Sequence, residues 1–423
     1  MHLCYKFITY LFYPFSNFYI FFRRLRNKEH TIRYKEKLSK IKVSRGEGFL
    51  IWIHVASVGE AMSVLPLIDR FERENNIDRI LITTITLSSG KILEKRFIGN
   101  KKIVHQFLPL DITIYVNKFL KHWSPNLALF IESEIWPNLI LKTKEKNIPL
   151  LLINGRITKK TFKRWMLIKK FANKIFKKFD LCIASNKETE VYLKNLGAKN
   201  IKNYGNLKFT KINSNLSNKL DILALKKIES RKIWVAASTH STEEIFCAKA
   251  HLEIKKKYNN VLTIIIPRHI DRVKKIEKEI SSLNLKAIKY TNIDQIELDT
   301  DILIINTYGE ALKFYNISKC VFLGKSTISS LINNSGQNPI EPSRFGCKIF
   351  HGPYVNNFLE IYEYLRSLDI TKQVTSPEIL SQHLLKEFEN KKVVDESVIN
   401  KIEKYGQSTL SNVLDEIKIY IKK

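Results

Sequence analysis

Short, unbroken apolar runs recur along this chain, and each gives way to a longer stretch in which apolar residues return at helical spacing. From Phe49 onward the runs are Leu50–Val55, Ile80–Thr84, Leu127–Ile131, Leu150–Ile153 and Leu181–Ala184. A strand that is apolar on both faces must be covered on both faces, and helices that cross over between successive strands provide that cover. The pattern therefore predicts buried parallel strands in βαβ units. A polar stretch rich in Asn, Ser and Lys, Thr210 to Arg231, interrupts it. It resumes with Ile233–Ala237, Val261–Ile266, Asp301–Ile305, Cys320–Leu323 and Lys348–Phe350. The expected fold class is α/β: two doubly wound, Rossmann-like domains facing a cleft. Their expected extents are 47–210 and 232–399, with a linker at 211–231 and a basic terminal helix at 400–423.

The N-terminus differs from the rest. Phe7 to Phe22 is almost wholly apolar and aromatic, and Arg23, Arg24, Arg26 and Lys28 follow at once. The run is shorter than the roughly 20 residues of a spanning helix, and Pro14, Ser16 and Asn17 lie inside it. No small-residue cleavage site follows. Residues 1–28 are expected to form an uncleaved membrane anchor, lying in or partly entering the interface with its basic flank on the cytoplasmic side.

Lys and Arg number 71 against 41 Asp and Glu, a formal charge of +30. That excess favours acidic partners, although a general abundance of Lys, Asn and Ile accounts for it equally well. There is no zinc-finger spacing and no RNA-binding aromatic signature, so nucleic acid is not expected. A helix predicted over Thr161–Phe179 carries the apolar stripe Trp165, Ile168, Ala172, Ile175 and Phe179. Lys163, Arg164, Lys169, Lys170, Lys174, Lys177 and Lys178 surround the stripe and invite contact with an anionic membrane. The five cysteines are far apart and never in a C-x-x-C pair, which indicates neither a disulfide framework nor a zinc site and fits a reducing, cytosol-facing location.

Ligands of open α/β sheets bind beyond the carboxyl ends of the strands, and those positions here are rich in chemistry. Leu50–Val55 runs into Ala56-Ser57-Val58-Gly59-Glu60, and Leu127–Ile131 into Glu132-Ser133-Glu134-Ile135-Trp136-Pro137-Asn138. Ile233–Ala237 leads to Ser238-Thr239-His240, Val261–Ile266 to Pro267-Arg268-His269, and Cys320–Leu323 to Gly324-Lys325-Ser326. For Ser57 and for Ser238-Thr239, helix capping and chemistry both fit. Glu132 and Glu134 share a face if extended and diverge if helical. Arg268 and His269 fit an anion site or a surface pair. Gly309-Glu310 fits a cap or a set of N–H groups facing a phosphate. In Gly336-Gln337-Asn338-Pro339-Ile340-Glu341-Pro342, a Glu at a helix start is placed to accept from ribose hydroxyls. No G-x-G-x-x-G turn and no Walker motif occurs, which argues against nicotinamide enzymes and P-loop nucleotidases.

Seven blocks resemble the signature segments of bacterial Kdo transferases, and they stand in the family's order. They are His54 to Glu60, Glu132 to Asn138, Gly205 to Phe209, Ala236 to His240, Pro267 to His269, Asn338 to Pro342 and Gly352 to Phe358. The hydrophobic N-terminus is also similar to the family's anchor. The resemblance implies a GT-B glycosyltransferase with an acceptor-binding domain over 47–210 and a CMP-Kdo-binding domain over 232–399. It implies an inverting, metal-independent reaction with no cofactor, in which Kdo (3-deoxy-D-manno-octulosonic acid) passes from CMP-Kdo to a lipid A precursor on the cytoplasmic face of the inner membrane. By the same resemblance, Glu60 is the general base, while Glu132 and Lys208 support the transition state. Pro267, Arg268, Gly309, Glu310, Ala311, Asn338, Pro339, Ile340 and Glu341 contact CMP. The chain departs from the family at Asn306 and Tyr308, where Asp and Met are usual, at Gln337 for His, and at Gly155 for Ala. Two other classes remain: a different GT-B sugar-nucleotide transferase or epimerase, and a basic non-enzymatic protein binding nucleic acid or membrane.

Overall fold

A computed structural model of the chain describes residues 2–210, 220–390 and 396–421. Chain contacts divide it into two units, Met1–Asn213 with Lys404–Lys423, and Ser214–Glu403.

The first unit is built on a seven-stranded parallel sheet: β1 (Leu50–His54), β2 (Arg79–Thr84), β3 (Ile103–Phe107), β4 (Leu127–Ile131), β5 (Leu150–Gly155), β6 (Leu181–Ala184) and β7 (Ile201–Asn203), in the order β3-β2-β1-β4-β5-β6-β7. The period-two alternation of a strand sends neighbouring residues to opposite faces. On one face Leu50, Trp52, Ala128, Phe130 and Leu152 pack with Val116, Phe119, Trp123 and Phe176. On the other, Ile51, Ile53, Ile82, Leu129 and Ile153 pack with Val64, Ile68 and Phe71 of helix Val58–Glu72. That second face is completed from far along the chain: Leu410, Val413, Leu414 and Ile417 of the C-terminal helix Glu396–Ile421 lie in the same cluster. The terminal helix is thus core cover for the first sheet rather than a separate appendage.

The second unit repeats the plan with β8 (Lys232–Thr239), β9 (Val261–Pro267), β10 (Ala287–Lys289), β11 (Ile302–Ile304), β12 (Cys320–Leu323), β13 (Lys348–His351) and β14 (Thr371–Gln373), all parallel, in the order β10-β11-β9-β8-β12-β13-β14. Of the expected linker, 211–219 lies outside the described residues, and Ile222–Ile228 is a helix whose Ile228 is buried in this unit's core.

Two helical expectations change. Thr161–Phe179 is two helices, Lys159–Met166 and Lys169–Phe176, broken at Leu167-Ile168. The stripe is buried only in its later part: Ala172, Ile175 and Phe179 are in the core, whereas Leu167 at the break is 85% exposed. The N-terminal segment is also two helices, His2–Phe12 and Ser16–Leu25, separated by a turn at Tyr13-Pro14-Phe15. No described helix is long and apolar enough to cross a membrane.

Candidate active site

In the first sheet, β1 and β4 are hydrogen-bonded neighbours although β2 and β3 intervene in sequence. The chain leaves β1 toward one edge and returns at β4 toward the other, so a crevice opens beyond their carboxyl ends. Glu60 and Glu132 both stand there. Ser57 caps helix Val58–Glu72, its hydroxyl accepting the Glu60 N–H at 3.3 Å. The Glu60 carboxylate folds back to accept the Ala56 N–H at 2.8 Å and the Ser57 hydroxyl at 3.1 Å, and the residue is 8% exposed. Burial raises its pKa to about 7, helped by the charges of Glu132 and Glu134 and opposed by the Ala56 N–H and Ser57 hydroxyl. Capping and chemistry are therefore joined in one side chain: it closes the helix start, yet it holds a proton near neutrality.

Glu132 and Glu134 lie in neither a strand nor a helix. Glu132 adopts a left-handed backbone, φ +55°, a conformation that costs a non-glycine residue about 1–3 kcal/mol. Hydrogen bonds on both sides hold it: its N–H donates to Ile153 O at 3.0 Å, and the Arg156 N–H donates to its carbonyl at 3.2 Å. The turn sends the two carboxylates apart. Glu132 Oε1 lies 2.6 Å from Lys208 Nζ, a close ion pair rather than an aligned hydrogen bond. Glu134 accepts from Trp136 Nε1 at 2.8 Å and contacts His54 Nε2 at 3.1 Å. Lys208 itself is placed by two asparagines. Asn154, at the end of β5 with φ +54°, accepts the Leu207 N–H at 3.0 Å, and Asn206 accepts the Lys208 N–H at 3.0 Å. Glu60, Glu132 and Lys208 thus belong to one cluster, although 148 positions separate the first from the last.

The second sheet has its own switch point at β8 and β12, which pair directly. Ser238 and Thr239 do not cap a helix. Ser238 stands at φ +55° within a register shift of β8, and the next helix, Glu243–Lys255, starts after Thr242. The fully buried Glu243 carboxylate accepts the N–H groups of His240, Lys325, Ser326 and Thr327 and the Thr327 hydroxyl, at 2.6–3.1 Å. It is the organiser of the loop after β12. A Cβ on Gly324 would stand 2.7 Å from Glu243 Oε2 and from Ser238 O, so only glycine fits.

The residues expected to meet CMP lie on segments that follow β9, β11 and β12. Pro267 closes β9, and the Arg268 N–H donates to Thr239 O at 3.0 Å while its side chain is exposed. Partial burial and the nearby Arg268 charge push the Lys325 ammonium down. Among the described residues neither cation is paired with a carboxylate, which leaves two neighbouring positive charges for an anion. Gly309, at φ +89°, has open space around it, and Glu310 pairs with Lys313 at 2.7 Å. Ala311 opens a helix of five residues, Ala311–Tyr315. Asn338 accepts the Ile340 N–H at 3.2 Å, Pro339 and Ile340 are buried, and Glu341 is exposed. Asn306, one of the departures, is occupied locally with Thr291.

A family model for 3-deoxy-D-manno-octulosonic-acid transferase (kdotransferase) matches residues 26–211. A 3-deoxy-D-manno-octulosonic acid transferase of Rickettsia bellii is 32% identical over 376 residues, 89% of this chain and 88% of that one. The chain belongs to the Kdo transferase family. A second member, from Haemophilus influenzae, is 27% identical over 88% of this chain and 87% of its own. Among solved structures, the UDP-GlcNAc 2-epimerase of Neisseria meningitidis bound to UDP-GlcNAc superposes with a TM-score of 0.57 at 13% identity, covering 88% of this chain and all of that one. That likeness is one of fold, GT-B-like with two parallel-sheet units.

In this Kdo transferase the sequence marks the positions of several site residues but not their contacts. His54 is wholly buried and reads as part of an apolar strand. Lys325 follows a strand like many surface lysines, and only its neighbour Arg268 marks it. Asn154 and Asn206 are turn residues by type, and their joint hold on the Lys208 turn needs contacts across 52 positions.

Proposed function

We propose that this Kdo transferase moves Kdo from CMP-Kdo to a lipid A precursor, lipid IVA, in lipopolysaccharide core synthesis, with inversion at the anomeric carbon and without a metal ion. The observation that carries the reading is Glu60, a buried carboxylate raised to about 7 at the switch point of the first sheet. A general base works best with a pKa near the operating pH. The acceptor hydroxyl gives its proton to Glu60 as its oxygen bonds to the anomeric carbon. The bond from that carbon to the CMP phosphate oxygen breaks, and CMP leaves as an anion. Attack from the face opposite the leaving group inverts the centre. The Glu132–Lys208 pair lies beside the base and balances the charge that gathers there. Arg268 and Lys325 supply positive charge for the phosphate, with Gly309 to Ala311 and Asn338 to Glu341 around the nucleotide.

The test is mass spectrometry of the product from CMP-Kdo and lipid IVA in excess EDTA, with UDP-sugars in parallel. Addition of Kdo in EDTA is expected. Loss of turnover on chelation, restored by a divalent ion, overturns the metal-free mechanism, and transfer from a UDP-sugar alone overturns the donor.

The same reading puts the enzyme on the cytoplasmic face of the inner membrane, against anionic lipid. Its support is an apolar surface on the two N-terminal helices, where Leu3, Phe7, Ile8, Leu11, Phe18 and Phe22 are exposed. The opposite side of the segment is fastened to the first unit: the Tyr5 hydroxyl donates to Asp111 at 2.8 Å, and Ile20 is fully buried. An amphipathic segment held in this way lies along an interface without crossing it. Of the basic flank, Arg23 is paired with Glu29. Changing Phe7, Leu11, Phe18 and Phe22 to Ser should reduce co-sedimentation with anionic vesicles, and unchanged recovery overturns this docking.

A further inference from the structure

One chain of hydrogen bonds in the first unit is not absorbed by the proposed chemistry. Trp52 Nε1 donates to Thr83 Oγ1 at 2.9 Å, and Thr83 Oγ1 lies 3.0 Å from His54 Nδ1. His54 Nε2 lies 3.1 Å from Glu134 Oε2, which also takes the Trp136 N–H. The direction at the carboxylate end of this chain is fixed by what the groups can do. An ionised carboxylate only accepts, so His54 carries its proton on Nε2. Nδ1 faces both the Thr83 hydroxyl, whose oxygen accepts from Trp52, and the Thr83 carbonyl oxygen at 3.2 Å. His54 is fully buried and meets Phe130 edge-on at 5.5 Å, so its ring is held on every side. Burial alone would raise Glu134, but His54 and Trp136 outweigh it and hold the group below the usual carboxylate range. The chain therefore runs from the core of β1 and β2 to an ionised carboxylate in the turn after β4, two residues from the left-handed Glu132.

We propose that His54 and Glu134 are positioning residues for the transfer, which pin the turn after β4 so that Glu132 faces Lys208 and a second carboxylate stands beside Glu60. This rests on the reading of Glu60 as the base. The groups facing Glu60 come from three elements: Ala56 N–H and Ser57 from its own helix start, Glu132 and Glu134 from the turn after β4, and, through Glu132, Lys208 from the Leu207–Phe209 turn. A buried strut with only a structural role would change thermal stability and leave the pH dependence of turnover where it was. A positioning pair moves both the rate and the profile.

The experiment uses Glu134→Gln and Trp136→Phe in the full chain, assayed with CMP-Kdo and lipid IVA from about pH 5 to about pH 9. Gln keeps the size and accepts from Trp136 but removes a negative charge near Glu60. Phe removes one hydrogen bond and leaves the charge. Both variants should lose roughly tenfold or more in kcat, with donor KM within about twofold. Glu134→Gln alone should also move the acidic limb of the profile to lower pH. Wild-type kcat in both variants, or an unmoved limb in folded Glu134→Gln, overturns the proposal. If Glu134→Gln fails to fold, Trp136→Phe decides: a fall in kcat at constant donor KM supports the proposal, and a wild-type kcat overturns it. Glu60→Gln run alongside separates the two readings. Wild-type turnover in that variant fells the base assignment, whereas an inactive Glu60→Gln beside unaffected Glu134 and Trp136 variants fells this inference alone.

Discussion

Glu60 and Glu243 occupy matching places in two sheets of the same plan, and their surroundings make opposite use of a buried carboxylate. Each lies in the first turn of the helix that follows the first strand of its sheet, beside a switch point. Glu243 is wrapped by the N–H groups of His240, Lys325, Ser326 and Thr327 and by the Thr327 hydroxyl. Glu60 receives the Ala56 N–H and the Ser57 hydroxyl and faces two other carboxylates. Donors lower the cost of a buried negative charge, and like charges raise it. A carboxylate saturated with donors becomes a structural node. One that is under-served beside like charges takes up a proton near neutrality, as a base requires. Position in the fold is shared, and the count of donors decides the role.

The largest expected effect tests this contrast at Glu60. Glu60→Gln keeps the size and the helix start but removes the proposed base, and general-base catalysis is worth about 10²–10⁴ in rate. First-turn charge is worth only about 0.3–1 kcal/mol, so the two roles separate by magnitude. Transfer should fall by roughly a hundredfold or more, with CMP binding intact by calorimetry. Near-normal turnover would move the base to Glu132 or Glu134.

Glu243→Ala should act on folding instead. It strands several buried N–H groups, each costing about 1–3 kcal/mol, so urea unfolding should show a loss of at least about 3 kcal/mol, together with weaker CMP binding as the loop after β12 loosens. A stable variant with normal CMP binding would break the comparison.

Next in size is a dependence on pH with a definite sign. The folded protein holds the Glu60 proton between 4.5 and about 7, where the unfolded chain has released it. The native state then binds more protons, so stability falls as pH rises through that window and remains lower above it. Glu60→Gln escapes this cost. By thermal unfolding it should exceed the wild type at pH 8 by on the order of 2 kcal/mol, with the gap closing toward pH 5. Turnover of the wild type should rise through about pH 7 as the base is freed. A more stable but inactive enzyme is the signature of a site that trades stability for function.

Two glycines give the smallest contrast. Gly324→Ala drives a Cβ to 2.7 Å from a backbone oxygen and from Glu243, and should cost about 1–3 kcal/mol. Gly59→Ala, in the Glu60 helix with open space around it, should gain up to about 1 kcal/mol in thermal unfolding. Equal effects would mean that the surroundings of Glu60 and of Glu243 are packed alike.

What the sequence determined by itself was the class of architecture and the addresses of the chemistry. Strands buried on both faces, such as β1, β4 and β12, have to be continuous apolar runs, so they were legible. Of the edge strands, β7, β10 and β14 are three residues long and mostly uncovered, and β3 carries His105 and Gln106 inside its apolar residues. Short or interrupted in this way, they leave no unbroken apolar run to read. The stripe over 161–179 keeps helical spacing throughout and so predicts one helix, while the break at Leu167-Ile168 is a matter of which turns find a partner surface. Only the tertiary structure decided that Leu410, Val413, Leu414 and Ile417 cover the first sheet, that Glu132 pairs with Lys208, and that Glu243 is wrapped in donors where Glu60 holds a proton near neutrality. Each of these depends on groups brought together from distant positions. A residue's type and neighbours in sequence set what it can donate or accept, but the number of donors that reach a buried charge is fixed only when the strands are laid side by side.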